Sequence, residues 1–529
     1  MSLLSTQKTS NLLVTQQVRY GFIKSAFKRR GVKLRNYQQC GIKWMLRQEE
    51  DGYGGLLGDE PGLGKTFQSL SLVISSKGKT LIVVPSSILM QWEQDAIRFS
   101  SKEKVYVHHA SKRRFSIPEK TKIVLTTPAT LLISDRSSRF VNLQSTFWTR
   151  IIVDEIHIMK NKSSKISKCL MEMSARFKWG LTGTPVQNKE KETTNLFRFI
   201  HNNHVDDKLN IDLEFMLKNR FLRRTKMDNL ELKTVVFENQ IIDFETEEER
   251  TFYHKIRKDV REEFMNLELS HLSNGQRQAH MFELLLRMRQ ASIHPQLVIE
   301  GYRRKHGKNI MKDWTLGTSS KHSALVKMID QHPEESSIVF CQFTKEMDIL
   351  EPLFREKGLE VARLDGSLSI EKKKRVLDKC QAVPIYENVF SILSKQNRLS
   401  TLPSQLTNRI ASYAKPVDVL LIQIKAGGVG LNLQNFNRIY FTSLDWNPTN
   451  EEQAIARAHR MGQRRQVYVK RLILEDSENP MSVIDNRIFN IQYGKRRLAA
   501  RLLNDDRLLN NGSFKGNSLS RKDYEKLLM

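Results

Sequence analysis

Short, unbroken apolar runs recur along the chain, each bounded by Gly, Pro or a charged stretch of helical character. In the first half these are Thr80–Pro85, Ile123–Thr127, Ile151–Asp154 and Trp179–Thr182. Runs such as Leu81–Val84 are too short for buried helices and carry no polar alternation, the pattern of strands covered on both faces. Their alternation with helical segments predicts βαβ units and a parallel sheet. Residues 186–315 break this rhythm. They are rich in charge, as at Glu247-Glu248-Glu249-Arg250, and apolar at i, i+3 and i+4 around Phe282–Met288, which predicts helices. Strand-like runs resume at Ile338–Cys341, Val361–Leu364, Val417–Ile422, Arg438–Thr442 and Val467–Leu472. The expected fold is α/β, two parallel-sheet domains with a helical region between them. Residues 1–30 are polar and close in the basic run Lys24 to Arg30, so a flexible leader is expected there.

Charge narrows the partners. Lysine and arginine number 86 against 58 aspartates and glutamates, a formal net charge of +28. An excess of this size points to a polyanion, nucleic acid first and an anionic membrane surface second. No stretch approaches the ~18 consecutive apolar residues of a membrane-spanning helix, and the first residues lack a signal peptide's apolar core. The four cysteines, Cys40, Cys169, Cys341 and Cys380, have no CxxC spacing. That argues against a disulfide framework and against a zinc finger or RING domain, and sets the expectation of an intracellular compartment without zinc.

Candidate chemistry lies first at Asp59-Glu60-Pro61-Gly62-Leu63-Gly64-Lys65-Thr66, after a short strand at Gly55–Gly58 and before a helix. Glycines let backbone N–H groups curl around phosphate oxygens at the positive end of a helix dipole. Lys65 is placed to reach the β- and γ-phosphates of ATP, and Thr66 to ligate Mg²⁺. Asp59 stands where the strict P-loop pattern has Gly, so the match is partial. A second element is the strand Ile151-Ile152-Val153 ending in Asp154-Glu155-Ile156-His157. An acid at the C-terminal end of a strand neighbouring the P-loop suits Mg²⁺, the role given to Asp154, and Glu155 then orients or deprotonates the attacking water.

Together with Leu181-Thr182-Gly183-Thr184-Pro185-Val186-Gln187-Asn188, these runs resemble motifs one to three of the superfamily-two helicase-like ATPases, most closely the Swi/Snf branch. The second half continues the resemblance: Ile338–Phe343 is similar to motif four, Ala426–Leu433 to motif five, and Asp445-Trp446-Asn447-Pro448 with Arg457–Gln463 to motif six. Smaller signatures are Leu34–Gln38, Arg223-Arg224-Thr225-Lys226, and Leu286–Gln290 with His294-Pro295. The resemblance implies RecA-like lobes over 31–235 and 319–478, with a helical protrusion region over 236–318; a segment inserted at 381–416 interrupts the second lobe, and a basic helical tail is expected over 479–529. It implies that Gln38 recognises adenine. Arg457 and Arg460, three apart and so on one face of a helix, would project into the nucleotide cleft, with Arg460 as the finger. Thr182, Gly183, Thr184, Gly428, Gly430 and Gln453 would couple nucleotide state to lobe movement. Duplex DNA would be met by Gln91, Trp92, Thr127, Gly427, Trp446 and Asn447, although Trp446 fits a core equally well and Trp92 fits one better. The basic runs Arg220–Lys226, Tyr302–Lys305 and Lys495–Arg497 would add positive surface.

Two departures stand out: Pro61 where the family commonly has Met, and the insertion, which reads as a surface loop with one or two helices. A motor without accessory domains resembles short viral members such as the baculoviral global transactivators. The implied function is an ATP-dependent double-stranded DNA translocase that remodels complexes of DNA with bound protein, in transcription, chromatin or repair. A strand-separating helicase and a DNA-binding regulator with little ATPase activity are the alternatives. No membrane partner is expected, and DNA work implies the nucleus, or a viral factory if the chain is viral.

Overall fold

The apolar runs become strands in the computed structural model, which describes residues 16–133, 140–183, 190–201, 212–230, 232–268, 272–306, 312–315, 317–381, 417–424 and 431–503. The chain divides into two units, Met1–Glu231 and Leu232–Met529. In the first, β1 (Gly55–Leu57), β2 (Thr80–Val83), β3 (Val105–Val107), β4 (Ile123–Thr126), β5 (Trp148–Asp154), β6 (Ala175–Leu181) and β7 (Phe221–Leu222) form a sheet of order β3-β4-β2-β5-β6-β1-β7. In the second, β8 (Val236–Ile242), β9 (Ser337–Cys341), β10 (Val361–Leu364), β11 (Val419–Gln423), β12 (Arg438–Phe441) and β13 (Tyr468–Leu474) follow the order β10-β11-β9-β12-β13-β8. All pairings within both sheets are parallel.

Unbroken apolar runs are required because each sheet is covered on both faces. Successive side chains alternate between them. Leu57, Ile82 and Ile152 pack with the helices Asn36–Glu50, Lys65–Ile74 and Leu89–Phe99, whereas Leu56, Leu81, Val83, Ile151 and Val153 pack with Lys165–Glu172 and Glu190–His201. The second sheet repeats this with Val339 and Leu421 on one face and Ile338, Phe340, Leu420 and Ile422 on the other.

Three expectations need correction. Residues 16–28 are not a flexible leader but a helix. Ile23, Ala26 and Phe27 bury an i, i+3, i+4 stripe, and Phe27 stacks on Phe99 with centroids 4.6 Å apart. Arg19 on the same helix joins a buried network in which Glu49 takes both Nε (2.5 Å) and Nη2 (2.8 Å) of Arg150, and the Trp179 indole N–H. Burial alone would raise the Glu49 pKa, but Arg150 and Arg19 outweigh it and hold the carboxyl below its ordinary value. Second, the expected helical region begins with a strand: β8 pairs along its whole length with β13. Its half-exposed, mixed sequence Val-Phe-Glu-Asn-Gln-Ile-Ile is that of an edge strand, unlike the central runs. Only then come the helices Glu247–Glu268, Asn274–Ile293 and Pro295–His306, whose Tyr253, Ile256, Leu284 and Leu285 enter the core of the second unit. Third, the expected basic helical tail is a helix at Ile484–Leu503, but one that packs into the second unit: Ile484, Ile488 and Phe489 are buried in that core and Asp485 pairs with buried Lys321. Residues 1–15, the insertion from 382 to 416 and residues 504–529 lie outside the described residues. Among the described residues no helix is long and apolar enough to cross a membrane.

Phe27→Ala should lower unfolding free energy in urea by about 3 kcal/mol, through lost transfer and a cavity. Val18→Ala on the same helix, 68% exposed, should change it by less than about 0.5 kcal/mol. A second expectation concerns pH. Lys178 on β6 is 3% exposed, its Nζ donates to Met171 O at 3.1 Å, and burial lowers its pKa from 10.5 to about 8. Between those values the folded chain binds fewer protons than the unfolded one, so stability should rise with pH across that window. Urea titrations of wild type and Lys178→Met at several pH values check this, and the variant should lose that component of the rise.

Candidate nucleotide-binding site

Register brings the candidate residues to one edge of the first sheet. Leu57 of β1 and Asp154 of β5 both pair with Leu181 of β6, so three strand ends lie level. The loops that follow them, 58–64, 155–158 and 182–183, share the C-terminal edge, where parallel sheets present ligands. Here β6 separates β5 from β1, so Asp154 is two strands from the P-loop strand rather than on its immediate neighbour.

The loop after β1 needs its glycines. Gly62 and Gly64 have φ of 98° and 82°, and a Cβ on Gly64 would stand 2.5 Å from Gln38 Nε2. Gly64 caps the helix Lys65–Ile74, which aims the first-turn N–H groups of Lys65 and Thr66 toward the loop. Lys65 Nζ donates to Asp59 O at 2.6 Å. Burial lowers its pKa, opposed by the carboxylates of Glu155, Asp154, Asp59 and Glu60. A positive-φ loop, a helix N-terminus and a part-buried ammonium form a set that fits a triphosphate.

Asp154 is 8% exposed. Its Oδ2 accepts from Trp92 Nε1 at 2.8 Å and its Oδ1 from Glu155 N at 2.9 Å. Burial first, then the Glu155 carboxylate, push its pKa up to about 6, against the pull of Trp92 and Lys65. A buried carboxylate held by two donors and repelled by a second acid is a ready cation ligand, so the residues present fit Mg²⁺. Glu155 itself has φ 49° and ψ 52°, a left-handed conformation costly for a side chain with Cβ. Its Oε2 lies 3.2 Å from His157 Nδ1.

Other residues expected at the site make contacts within and beneath the loop. Asp59 is fully buried, with Arg224 Nε at 2.9 Å from Oδ1 and Gln68 Nε2 at 3.0 Å from Oδ2. Arg224 also donates to Gln68 Oε1 at 2.7 Å and to Tyr37 O. The side chain of Asp59 thus serves as a foundation under the loop. Glu60 accepts from Lys226 N at 2.8 Å, and its own N–H donates to Arg224 O at 3.0 Å. Sequence reasoning gives Arg224, Gln68 and Lys226 no role at this site. The available signal is the Asp in place of Gly, since an acid ending a buried strand needs a cation. Gln38 donates to Leu63 O at 3.3 Å and so braces the loop. Thr182 N–H donates to Leu57 O, and a Cβ on Gly183 would meet Pro61 at 2.8 Å, so this segment rests on the P-loop. Thr184 lies outside the described residues.

Among the expected DNA-facing residues, Trp92 is corrected: at 2% exposure, bonded to Asp154, it belongs to the core and the acidic pair. Thr127 is also buried, bonded to Thr130 Oγ1 at 2.9 Å, whereas Gln91 is exposed. In the second unit Trp446 and Asn447 are half-buried, and Asn447 caps the helix Pro448–Ala458. Gln453 and Arg457 are on that helix. Arg460 is not: the helix stops at Ala458, with Gly462 at φ 95°, and Arg460 Nη1 donates to Leu431 O at 3.2 Å. The shared helical face expected for the two arginines is therefore absent. Gly427, Gly428 and Gly430 lie outside the described residues. Basic runs are partly consumed internally, with Arg224 on Asp59 and buried Arg496 near Glu451 and Glu452.

Residues 37–297 match the SNF2-related domain, and residues 320–396 and 398–462 match the helicase conserved C-terminal domain. A mouse SWI/SNF-related matrix-associated actin-dependent regulator of chromatin, subfamily A member 1, is 27% identical over 99% of this chain and 48% of its own length. An uncharacterized ATP-dependent helicase of Mycoplasma pneumoniae is 28% identical over 89% of this chain and 42% of its own. The chain thus spans less than half of either relative. A probable global transactivator of Orgyia pseudotsugata multicapsid polyhedrosis virus is 27% identical over 84% of this chain and 87% of its own. The SWI2/SNF2 ATPase core of Sulfolobus solfataricus, solved with double-stranded DNA, aligns over 94% of this chain and 97% of its own at 23% identity and a TM-score of 0.37.

Arg224→Ala should strip the partner from a buried carboxylate and lower unfolding free energy by about 3 kcal/mol. The same variant should weaken binding of a fluorescent ATP analogue, measured on protein that is still folded, because the loop loses its foundation.

Proposed function

The chain belongs to the SNF2-related helicase-like ATPases, and from that membership we propose that it is an ATP-dependent double-stranded DNA translocase that remodels protein–DNA complexes. The observation that carries this reading is the level edge of the first sheet, where Lys65, Asp154 and Glu155 follow strands in one register. The residues give the roles. Lys65 exchanges the Asp59 carbonyl for phosphate oxygens, and the N–H groups of Gly64, Lys65 and Thr66 add donors to the same oxygens. Thr66 and Asp154 are the residues to hold Mg²⁺, which supplies charge neutralisation at the β- and γ-phosphates when bound. Glu155, aimed by its left-handed backbone, orients water and accepts its proton, with His157 beside it. Arg460, with Arg457, takes the role that the family resemblance gives this pair, stabilising transition-state charge. Gln38 reads adenine, and Thr182, Gly183 and Gln453 couple nucleotide state to movement.

The preference for duplex DNA rests on Asp445–Pro448 and Arg457–Gln463, on a formal charge of +28 and on the chromatin and transactivator names of the relatives. Grip falls mainly on phosphates, so it is weakly dependent on sequence and strongly dependent on salt. DNA-bound protein is the substrate of the remodelling step, and the nucleus, or a viral factory, is its place.

ATP hydrolysis should be stimulated by duplex far more than by single-stranded DNA. Lys65→Ala and Glu155→Gln should each reduce it at least about 100-fold. Stimulation by single strands alone would mean a strand-separating helicase. A Lys65→Ala protein with full cellular activity would mean a DNA-binding regulator.

A further inference from the structure

One loop of the second unit is held more firmly than its packing requires. Residues Ser443–Asn447 follow β12 at the C-terminal edge of a parallel sheet, where carbonyls ordinarily meet water or ligand. Here three consecutive carbonyls are each taken by a side chain from elsewhere. Leu444 O accepts from Arg289 Nη2 at 2.6 Å, Asp445 O from Gln492 Nε2 at 2.6 Å, and Trp446 O from Lys495 Nζ at 2.8 Å. The donors come from two helices, Asn274–Ile293 and Ile484–Leu503, distant in sequence from the loop and from each other.

Each attachment is backed in turn. Arg289 is 3% exposed, reaches Ser443 Oγ and Gln342 Oε1 at 3.2 Å each, and lies with Cζ 5.5 Å from the centre of the Trp446 ring. Gln492 is fully buried and also donates to Glu451. Glu451 accepts from Asp445 N at 3.1 Å, and Asp445 Oδ1 accepts from Asn447 N and Asn450 Nδ2 at 2.9 Å. Burying a guanidinium and an amide to fix one turn costs desolvation, which hydrophobic side chains would have avoided. What such fixing yields is a half-buried indole at a set height and angle.

We propose that Arg289, Gln492 and Lys495 are positioning residues for duplex binding, locking the Ser443–Asn447 loop so that Trp446 and Asn447 meet the DNA backbone as a preformed grip. Preformed contacts avoid ordering costs at each step, which suits a motor that must bind and release repeatedly. The inference rests on the translocase reading above.

The test compares wild type, Lys495→Met, Lys495→Arg, Trp446→Ala and the double variant Lys495→Met/Trp446→Ala. The readouts are the duplex concentration for half-maximal ATPase, kcat at saturating duplex and the salt dependence of duplex binding. Lys495→Met should raise half-saturation about tenfold, leave kcat within about twofold and keep the salt slope. Lys495→Arg should restore most of the affinity, and Lys495→Met should add nothing in the Trp446→Ala background. An additive loss with a salt slope smaller by about 1 would instead make Lys495 a direct phosphate contact and overturn the proposal. So would a Trp446→Ala defect that Lys495→Met fails to share. If duplex does not stimulate wild-type ATPase at all, the translocase reading falls and the inference with it.

Discussion

A parallel strand leaves the sheet at the same end as its neighbours, and that constraint organises everything else in this molecule. The crossover helices cover both faces and demand unbroken apolar strands, while the polar loops are driven to one edge. Because Leu57, Leu181 and Asp154 share a row, three loops widely separated in sequence need no further device to meet. The chemistry of the site follows from this geometry: a cation and two acids crowd together at a helix terminus, where burial lowers the Lys65 pKa against the pull of the carboxylates, and burial and Glu155 together raise that of Asp154.

Much of this is legible in the amino-acid sequence. Central strands announce themselves because burial on two faces leaves no room for polar residues, and Gly62, Gly64 and Lys65 announce themselves because few loops tolerate such a run. What stays hidden is whatever depends on partners brought from afar. The role of Arg224 is set by Asp59, 165 positions away in the chain. Trp92 reads as core or as DNA contact, with core the better fit, and its burial together with the bond from its N–H to Asp154 places it in the core. Edge strand β8, exposed on alternate positions, carries a weaker pattern than any interior strand. The helix over 16–28 is obscured by its charge, although its stripe of Ile23, Ala26 and Phe27 is present in the sequence. Arg460 shows the opposite error, a helical spacing read across a helix end.

The buried ionic groups follow one plan. Glu49 with Arg150, Asp59 with Arg224, and Asp485 with Lys321 are each pairs whose members lie far apart in sequence. Apolar residues could fill those positions with equal or greater stability, but they would accept many arrangements of the same elements. Directional pairs accept few. Two of them tie terminal or connecting segments, the helix over 16–28 through Arg19 and the helix Ile484–Leu503 through Asp485, to the sheets they cover.

The left-handed backbone at Glu155 has a consequence on another timescale. Holding a residue with a Cβ in that region costs roughly 1–2 kcal/mol, a cost that the water-orienting role proposed for its carboxylate accounts for. In a lineage that abandoned hydrolysis and kept only the grip, selection for stability would favour glycine or asparagine at this position over many generations. On the role proposed for Glu155, the residue at 155 works as a fossil marker: across descendants of this chain, it would distinguish members that hydrolyse ATP from those retained as clamps.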